Sequence, residues 1–139
     1  MTGKIIGTGS YVPELAWDNN KLKEYMDTND EWITTRTGIK TRHFASEGVY
    51  TSHLAINAGR QALEDAGVKP EDIDLLIVAT ICPDRPLPST ASFVQAWLGL
   101  VNAGAFDLVA ACSGFVYALD NAKQYILSGS ARRVLVIGA

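Results

Sequence analysis

Apolar positions along this chain recur in two alternating rhythms. From Thr51 to Ala66, Leu54, Ala55, Ala58, Ala62, Leu63 and Ala66 return at three- and four-residue spacing. That period predicts an amphipathic helix, stopped by Gly67 and Pro70. Asp74-Leu75-Leu76-Ile77-Val78-Ala79-Thr80 then reads as a strand apolar on both faces, as in a covered parallel sheet. Ser89 to Leu98 predicts a second helix with Phe93, Val94, Trp97 and Leu98 on its apolar face. Phe106 to Ala110 predicts a strand, Cys112 to Ser128 a helix closing at Gly129, and Val134-Leu135-Val136-Ile137 a buried strand. Near the N-terminus, Lys4-Ile5-Ile6 followed by glycines reads as a first strand. Repeated strand–helix order argues for an α/β fold with right-handed crossovers and a mostly parallel sheet covered by helices.

Residues 18–50 interrupt this rhythm with a polar, aromatic segment of short helices. Thr28 and Glu31 fit a capping box, and Gly38 fits the matching C-terminal stop. Trp32 and Arg36, four apart, share one helix face. An indole beside a guanidinium makes a platform for a planar base and its phosphates. By spacing alone, the plainer reading takes precedence: a Trp partly buried in its own fold with Arg36 in a surface pair.

Composition narrows the class. The 139 residues suffice for one domain with a core, and 47% hydrophobic with 19% charged residues is an ordinary globular balance. A net charge of −3 carries no basic footprint for nucleic acid or an anionic membrane. No apolar run approaches a membrane span, and no signal-peptide core follows Met1. Two cysteines, Cys82 and Cys112, make neither a metal-ligand pattern nor a disulfide framework, so a reducing cytoplasm is the simplest expectation.

The candidate chemistry centres on Cys112, where an apolar strand turns directly into a helix. Backbone N–H groups and the positive end of the helix dipole at such a place favour thiolate over thiol. A thiolate there suits acyl transfer through a thioester, although cysteine also serves as a small buried hydrophobe. Other signals are weaker. Gly7-Thr8-Gly9 lacks the third glycine of a dinucleotide fingerprint, Val12 standing in its place, and reads as a tight turn. Cys82 reads as a structural or exposed thiol, and Asp107 as a hydrogen-bonding strand residue rather than an acid. His43 reads as structural, and His53, at a helix start, as solvated or capping-related. Pro83-Asp84-Arg85-Pro86-Leu87-Pro88 is a stiff connector.

With these stretches in hand, the chain closely resembles the β-ketoacyl-acyl-carrier-protein synthase III family. The matching runs are Ile5-Ile6-Gly7-Thr8-Gly9-Ser10-Tyr11-Val12-Pro13, Asp27-Thr28-Asn29-Asp30-Glu31-Trp32-Ile33, Arg36-Thr37-Gly38-Ile39 and Arg42-His43. Phe106-Asp107 and Ala110-Ala111-Cys112-Ser113-Gly114-Phe115 complete the match. The resemblance implies a thiolase-like fold, of which residues 1–139 would form the N-terminal half only, with a CoA-binding insertion at about 18–50. It implies a decarboxylating Claisen condensation that initiates type II fatty-acid synthesis. The residue matching Cys112 is acylated by a short acyl-CoA; malonyl-ACP then loses CO₂, and its carbanion attacks the thioester. Thr28, Trp32, Arg36 and Thr37 match CoA-binding positions, and Leu87 matches a position that reaches across a homodimer into the neighbouring acyl pocket. The Cys112 backbone N–H would form half of an oxyanion hole. No tightly bound cofactor and no metal are implied; acyl-CoA enters as substrate.

Family members also use a downstream His and Asn, which would fall beyond Ala139 and which neither His43 nor His53 matches. The chain therefore reads as the front part of something larger, ending after a core strand, and alone is expected to fold poorly with apolar surface exposed. Two alternatives stay open: a related thiolase-fold condensing enzyme of secondary metabolism, and a truncated, non-catalytic CoA-binding fragment.

Overall fold

The computed structural model describes residues 3–139. They divide into a smaller unit, Val12–Val49, and a larger one made of Tyr50–Ala139 and the segment up to Tyr11.

In the smaller unit, β1 (Ala16–Asp18) leads into α1 (Asn19–Leu22) and α2 (Asp30–Thr37), and β2 (Thr41–His43) returns antiparallel to β1. Trp17 stacks on Tyr25, with ring centroids 4.9 Å apart, and meets Phe44 at a tilt of 33°, with centroids 4.3 Å apart. Leu22 and Ile33 are its buried aliphatic side chains. The start of α2 departs from the expected Thr28–Glu31 box. Asn29 is the cap, its Oδ1 accepting from the Trp32 N–H at 2.8 Å. The helix begins at Asp30, so Thr28 lies one residue too early to cap it. Gly38 ends α2 as expected, at φ 72°, with its N–H on the Thr34 carbonyl.

The larger unit follows the strand–helix rhythm: α3 (Thr51–Ala66), β3 (Leu75–Ala79), α4 (Thr90–Leu98), β4 (Gly104–Leu108), α5 (Gly114–Leu127) and β5 (Val134–Gly138). The three strands are parallel in the order β4-β3-β5. The central strand has both faces covered, and Leu76, Ile77 and Val78 are wholly buried. Each such side chain contributes roughly 2 kcal/mol. On one face Leu76 and Val78 pack with Ala55, Ile56 and Leu63 of α3 and with Ala91, Val94 and Leu98 of α4. On the other, Leu75 and Ile77 pack with Ala118 and Ala122 of α5. The crossover from β3 to β4 and the return to β5 run in opposite directions over opposite faces, as a single hand of crossover requires.

Four expectations need correction. Lys4-Ile5-Ile6 is not a strand: Ile5 and Ile6 are exposed, and the segment after them leans on α3 through side-chain bonds, not a ladder. There the Thr8 N–H donates to Asp65 Oδ2 at 2.8 Å and the Ser10 N–H to Gln61 Oε1 at 3.3 Å. Gly7 and Gly9 serve close approach rather than a tight turn, since a Cβ on Gly9 would come within 2.3 Å of the Ala58 carbonyl oxygen. On α4 the inner face is Ala91, Val94 and Leu98; Trp97 is 72% exposed. Finally, β4 begins and ends two residues earlier than the expected Phe106–Ala110, because its register is set by pairing with β3.

Two carboxylates lock the larger unit. Asp107, on β4, accepts the Thr90 N–H at 2.8 Å and the Ala91 N–H at 2.7 Å, capping α4 as the hydrogen-bonding role expected of it requires. Asp74 Oδ2, just before β3, accepts the Arg132 and Arg133 N–H groups at 2.7 and 2.9 Å and ties β5 to β3. The Arg133 contact first, and the Arg132 contact next, hold the Asp74 carboxyl below the usual carboxylate range. A lowered native pKa contributes stability that is complete above the unfolded value, about 3.9 for Asp, and is lost as pH falls through the native one. Urea unfolding between pH 6 and the acid limit, values chosen around that pKa of roughly 3.9, should therefore show a flatter acid limb for Asp74→Asn than for the wild type. Parallel acid limbs would contradict the assignment.

Candidate active site

Cys112 lies where the carboxyl end of β4 hands over to α5. Ala111, Cys112 and Ser113 form one 3-10 turn, and α5 starts only at Gly114. The thiol thus sits just before the helix rather than within its first turn, and it is exposed. The cause is Ala111, whose φ of 46° lies in the left-handed region, where a non-glycine residue costs roughly 1–3 kcal/mol. The Ser113 N–H closes the turn on the Ala110 carbonyl at 3.1 Å. Packing holds it from beneath: a Cβ on Gly114 would stand 3.3 Å from that of Ala79, so the start of α5 rests directly on β3.

Neighbouring strands supply the rest of the setting. The chain leaving β3 runs to α4 on one face, and the chain leaving β4 runs to α5 on the other. Divergent connections from adjacent parallel strands make a topological switch point, and it is at the carboxyl ends of such strands that α/β proteins place their ligands. Cys112 stands on one lip of that switch point. The other lip is the loop 81–89, which carries Cys82 and Leu87; the Cys82 thiol is exposed, as expected, and Leu87 is 82% exposed. Thr51 Oγ1 donates to the Cys82 carbonyl at 2.6 Å, the Ser52 N–H to Asp84 Oδ1 at 2.9 Å, and the Arg85 guanidinium lies 5.0 Å from the Phe93 ring centroid. These contacts fix the loop against the starts of α3 and α4.

The remaining candidates lie in the smaller unit, on or beside α2. The Arg36 guanidinium lies over the Trp32 indole, 4.9 Å from its centroid, and both side chains are exposed. Thr28 precedes the helix and is half-buried. Thr37 closes the helix: its hydroxyl donates to the Ile33 carbonyl at 2.7 Å and accepts the Ile39 N–H at 3.1 Å.

Both histidines have structural engagements. His43 Nδ1 contacts the Pro13 carbonyl, and His53 Nδ1 accepts the Tyr50 N–H at 2.9 Å at the start of α3. Among the described residues no cluster of His, Cys, Asp or Glu could hold a metal ion. Two features escaped the sequence reading: the left-handed Ala111 and the buried Asn19. Nothing in a run of small residues marks a positive φ on an alanine, and Asn19 was one polar residue among several in Asp18-Asn19-Asn20.

Comparison with known proteins agrees with this geometry. The family described as 3-oxoacyl-[acyl-carrier-protein (ACP)] synthase III matches residues 106–139. The beta-ketoacyl-[acyl-carrier-protein] synthase III of Caldanaerobacter subterraneus subsp. tengcongensis is 56% identical over 135 residues, 97% of this chain and 41% of the relative. The crystal structure of 3-oxoacyl-[acyl-carrier-protein] synthase III from Aquifex aeolicus aligns with a TM-score of 0.94 at 52% identity, over 98% of this chain and 44% of that one. A priming β-ketosynthase from a polyketide biosynthetic pathway aligns with a TM-score of 0.93 at 40% identity, over 97% of this chain and 40% of its own. The chain spans about two fifths of the length of the curated relatives it matches. Fold and matches together define a thiolase-fold condensing-enzyme chain. Within that class, it belongs to the β-ketoacyl-acyl-carrier-protein synthase III family.

The turn at Ala111 makes a direct test. Ala111→Gly should stay within about 1 kcal/mol of wild-type stability, relief of strain offsetting the added unfolded-state entropy. Ala111→Val, β-branched at a positive φ, should lose roughly 2 kcal/mol. Equal urea midpoints for the two variants would contradict the strained turn.

Proposed function

We propose that this chain carries the nucleophile and the CoA platform of an acyltransferase that condenses a short acyl-CoA, of the acetyl-CoA type, with malonyl-ACP. The product is a β-ketoacyl-ACP, and the reaction initiates type II fatty-acid biosynthesis. The observation that carries this reading is the exposed Cys112 on a strained turn between β4 and α5. Cys112 Sγ attacks the acyl-CoA carbonyl, the C–S bond to CoA breaks, and the acyl group passes to the enzyme as a thioester. The Cys112 N–H donates to the developing oxyanion. Malonyl-ACP then loses CO₂, its α-carbon bonds to the acyl carbonyl, and the Cys112 thiolate leaves.

Trp32 and Arg36 bind the nucleotide end of CoA, the indole meeting the adenine and the guanidinium the phosphates. Thr28 and Thr37 flank that platform at the two ends of α2. Leu87 contributes to an acyl pocket across a homodimer. His43 and His53, engaged with Pro13 and Tyr50, have no part in decarboxylation. No cofactor is required, and a reducing cytoplasm is the compartment that suits its two free cysteines. Among the described residues no helix is long and apolar enough to cross a membrane. A second reading, a priming enzyme of secondary metabolism, draws on the similarity to the polyketide β-ketosynthase. It differs in the acyl starter and in the extender carrier.

A condensation assay with acetyl-CoA and malonyl-ACP tests the proposal. Formation of acetoacetyl-ACP with release of CO₂ is expected, abolished in Cys112→Ala. Trp32→Ala should raise KM for acetyl-CoA roughly tenfold, the equivalent of 1.4 kcal/mol, with kcat little changed. Condensation unaffected by Cys112→Ala would refute the mechanism, and turnover only with another starter or carrier would select the second reading.

A further inference from the structure

Asn19 is the most buried polar side chain of the smaller unit, only 1% exposed. Its amide is fully engaged. The two Nδ2 protons go to Asp30 Oδ1 at 2.7 Å and to the Ile39 carbonyl at 2.9 Å, with Thr34 Oγ1 a longer neighbour at 3.4 Å. Its Oδ1 accepts from Arg42 Nη2. Asp30 is the first residue of α2, Thr34 lies in its middle, and Ile39 directly follows its Gly38 cap. One carboxamide therefore holds both ends of the helix that carries Trp32 and Arg36, and ties that helix to Arg42 on β2.

From this arrangement we infer that Asn19 is a positioning residue for nucleotide binding, setting the angle at which α2 presents the Trp32–Arg36 stack. The inference rests on the reading of that stack as the CoA platform. Thr34 Oγ1 reinforces the clamp by donating to the same Asp30 oxygen at 3.2 Å. The Asp30 carboxyl is held below the usual carboxylate range, chiefly by the Asn19 hydrogen bond, with Thr34 and Lys40 adding to it against the effect of burial. Arg42 meets the same hub through Nη2, while its Nη1 is buried without a partner among the described residues. An isolated α2, at eight residues, is too short to hold its own geometry in water. The orientation must come from outside the helix, and Asn19 is the group that reaches both of its ends.

Steady-state kinetics of the whole enzyme separate positioning from a merely structural role. Asn19→Asp replaces the donor to Asp30 with a second carboxylate and should raise KM for acetyl-CoA about tenfold, the equivalent of 1.4 kcal/mol, while kcat stays near wild type. Combining it with Asp30→Asn restores a donor–acceptor pair at the first turn of α2 but not the bond to the Ile39 carbonyl, and should recover part of that loss, about threefold in KM. A structural role alone would lower the active fraction, reducing kcat and leaving KM unchanged, and that result would overturn the inference. Should Asn19→Asp not fold, Asp30→Ala carries the decision: it frees only the first turn of α2, and its KM should rise about threefold, less than 1 kcal/mol, with kcat kept. An unchanged KM there would overturn the inference equally. Trp32→Ala serves as reference: if it too leaves KM unchanged, the platform reading fails and the inference with it; if it alone raises KM, only the role of Asn19 fails.

Discussion

Burial of β3 on both faces is the constraint on which the larger unit depends. A strand with no exposed face needs a helical layer above and below, and the chain supplies α3 and α4 on one side and α5 on the other. Placing those layers sends the connections after β3 and β4 over opposite faces, and Cys112 stands at the start of the second. The position of Cys112 is in this sense a consequence of hydrophobic packing two strands deep. The small residues on the inner face of α5, Gly114, Ala118 and Ala122, bring that helix close enough to seat the turn on Ala79.

The smaller unit solves a different problem with a different interaction. It has few buried aliphatic side chains, so directional hydrogen bonds take over the work of fixing α2. A buried polar group is tolerable only when all its donors and acceptors are matched. Asn19 meets that condition, and its partners come from α2, from the turn after it and from β2. Rigid packing beneath the Cys112 turn and a hydrogen-bonded frame around α2 are thus two different ways of fixing a local geometry.

Much of this was legible in the residues. The helix Thr51–Ala66 and the buried strand before Thr80 follow from periodicity and from Gly67, because local pattern and tertiary burial agree there. Cys112 was legible because a strand-to-helix junction bearing a thiol is chemically distinctive. What failed had tertiary causes. Lys4-Ile5-Ile6 has strand-like residues but no ladder partner among the described residues, and Gly7 and Gly9 answer to the surface of α3 rather than to a turn. Trp97 fits the helical period of α4, yet the core is filled by Ala91, Val94 and Leu98. The cap of α2 falls on Asn29 rather than Thr28, since either side chain can cap a helix and the chain's course into α2 decides between them. Ala111 and Asn19 were silent, since neither a backbone angle nor a long-range hub leaves a local signature.

The central claim is that Cys112 accepts the acyl group. Intact mass under denaturing conditions, recorded after incubation with acetyl-CoA alone, tests it most directly. One acetyl group added to the wild type and none to Cys112→Ala is the predicted result. Equal acetylation of both proteins, or of neither, would contradict the account.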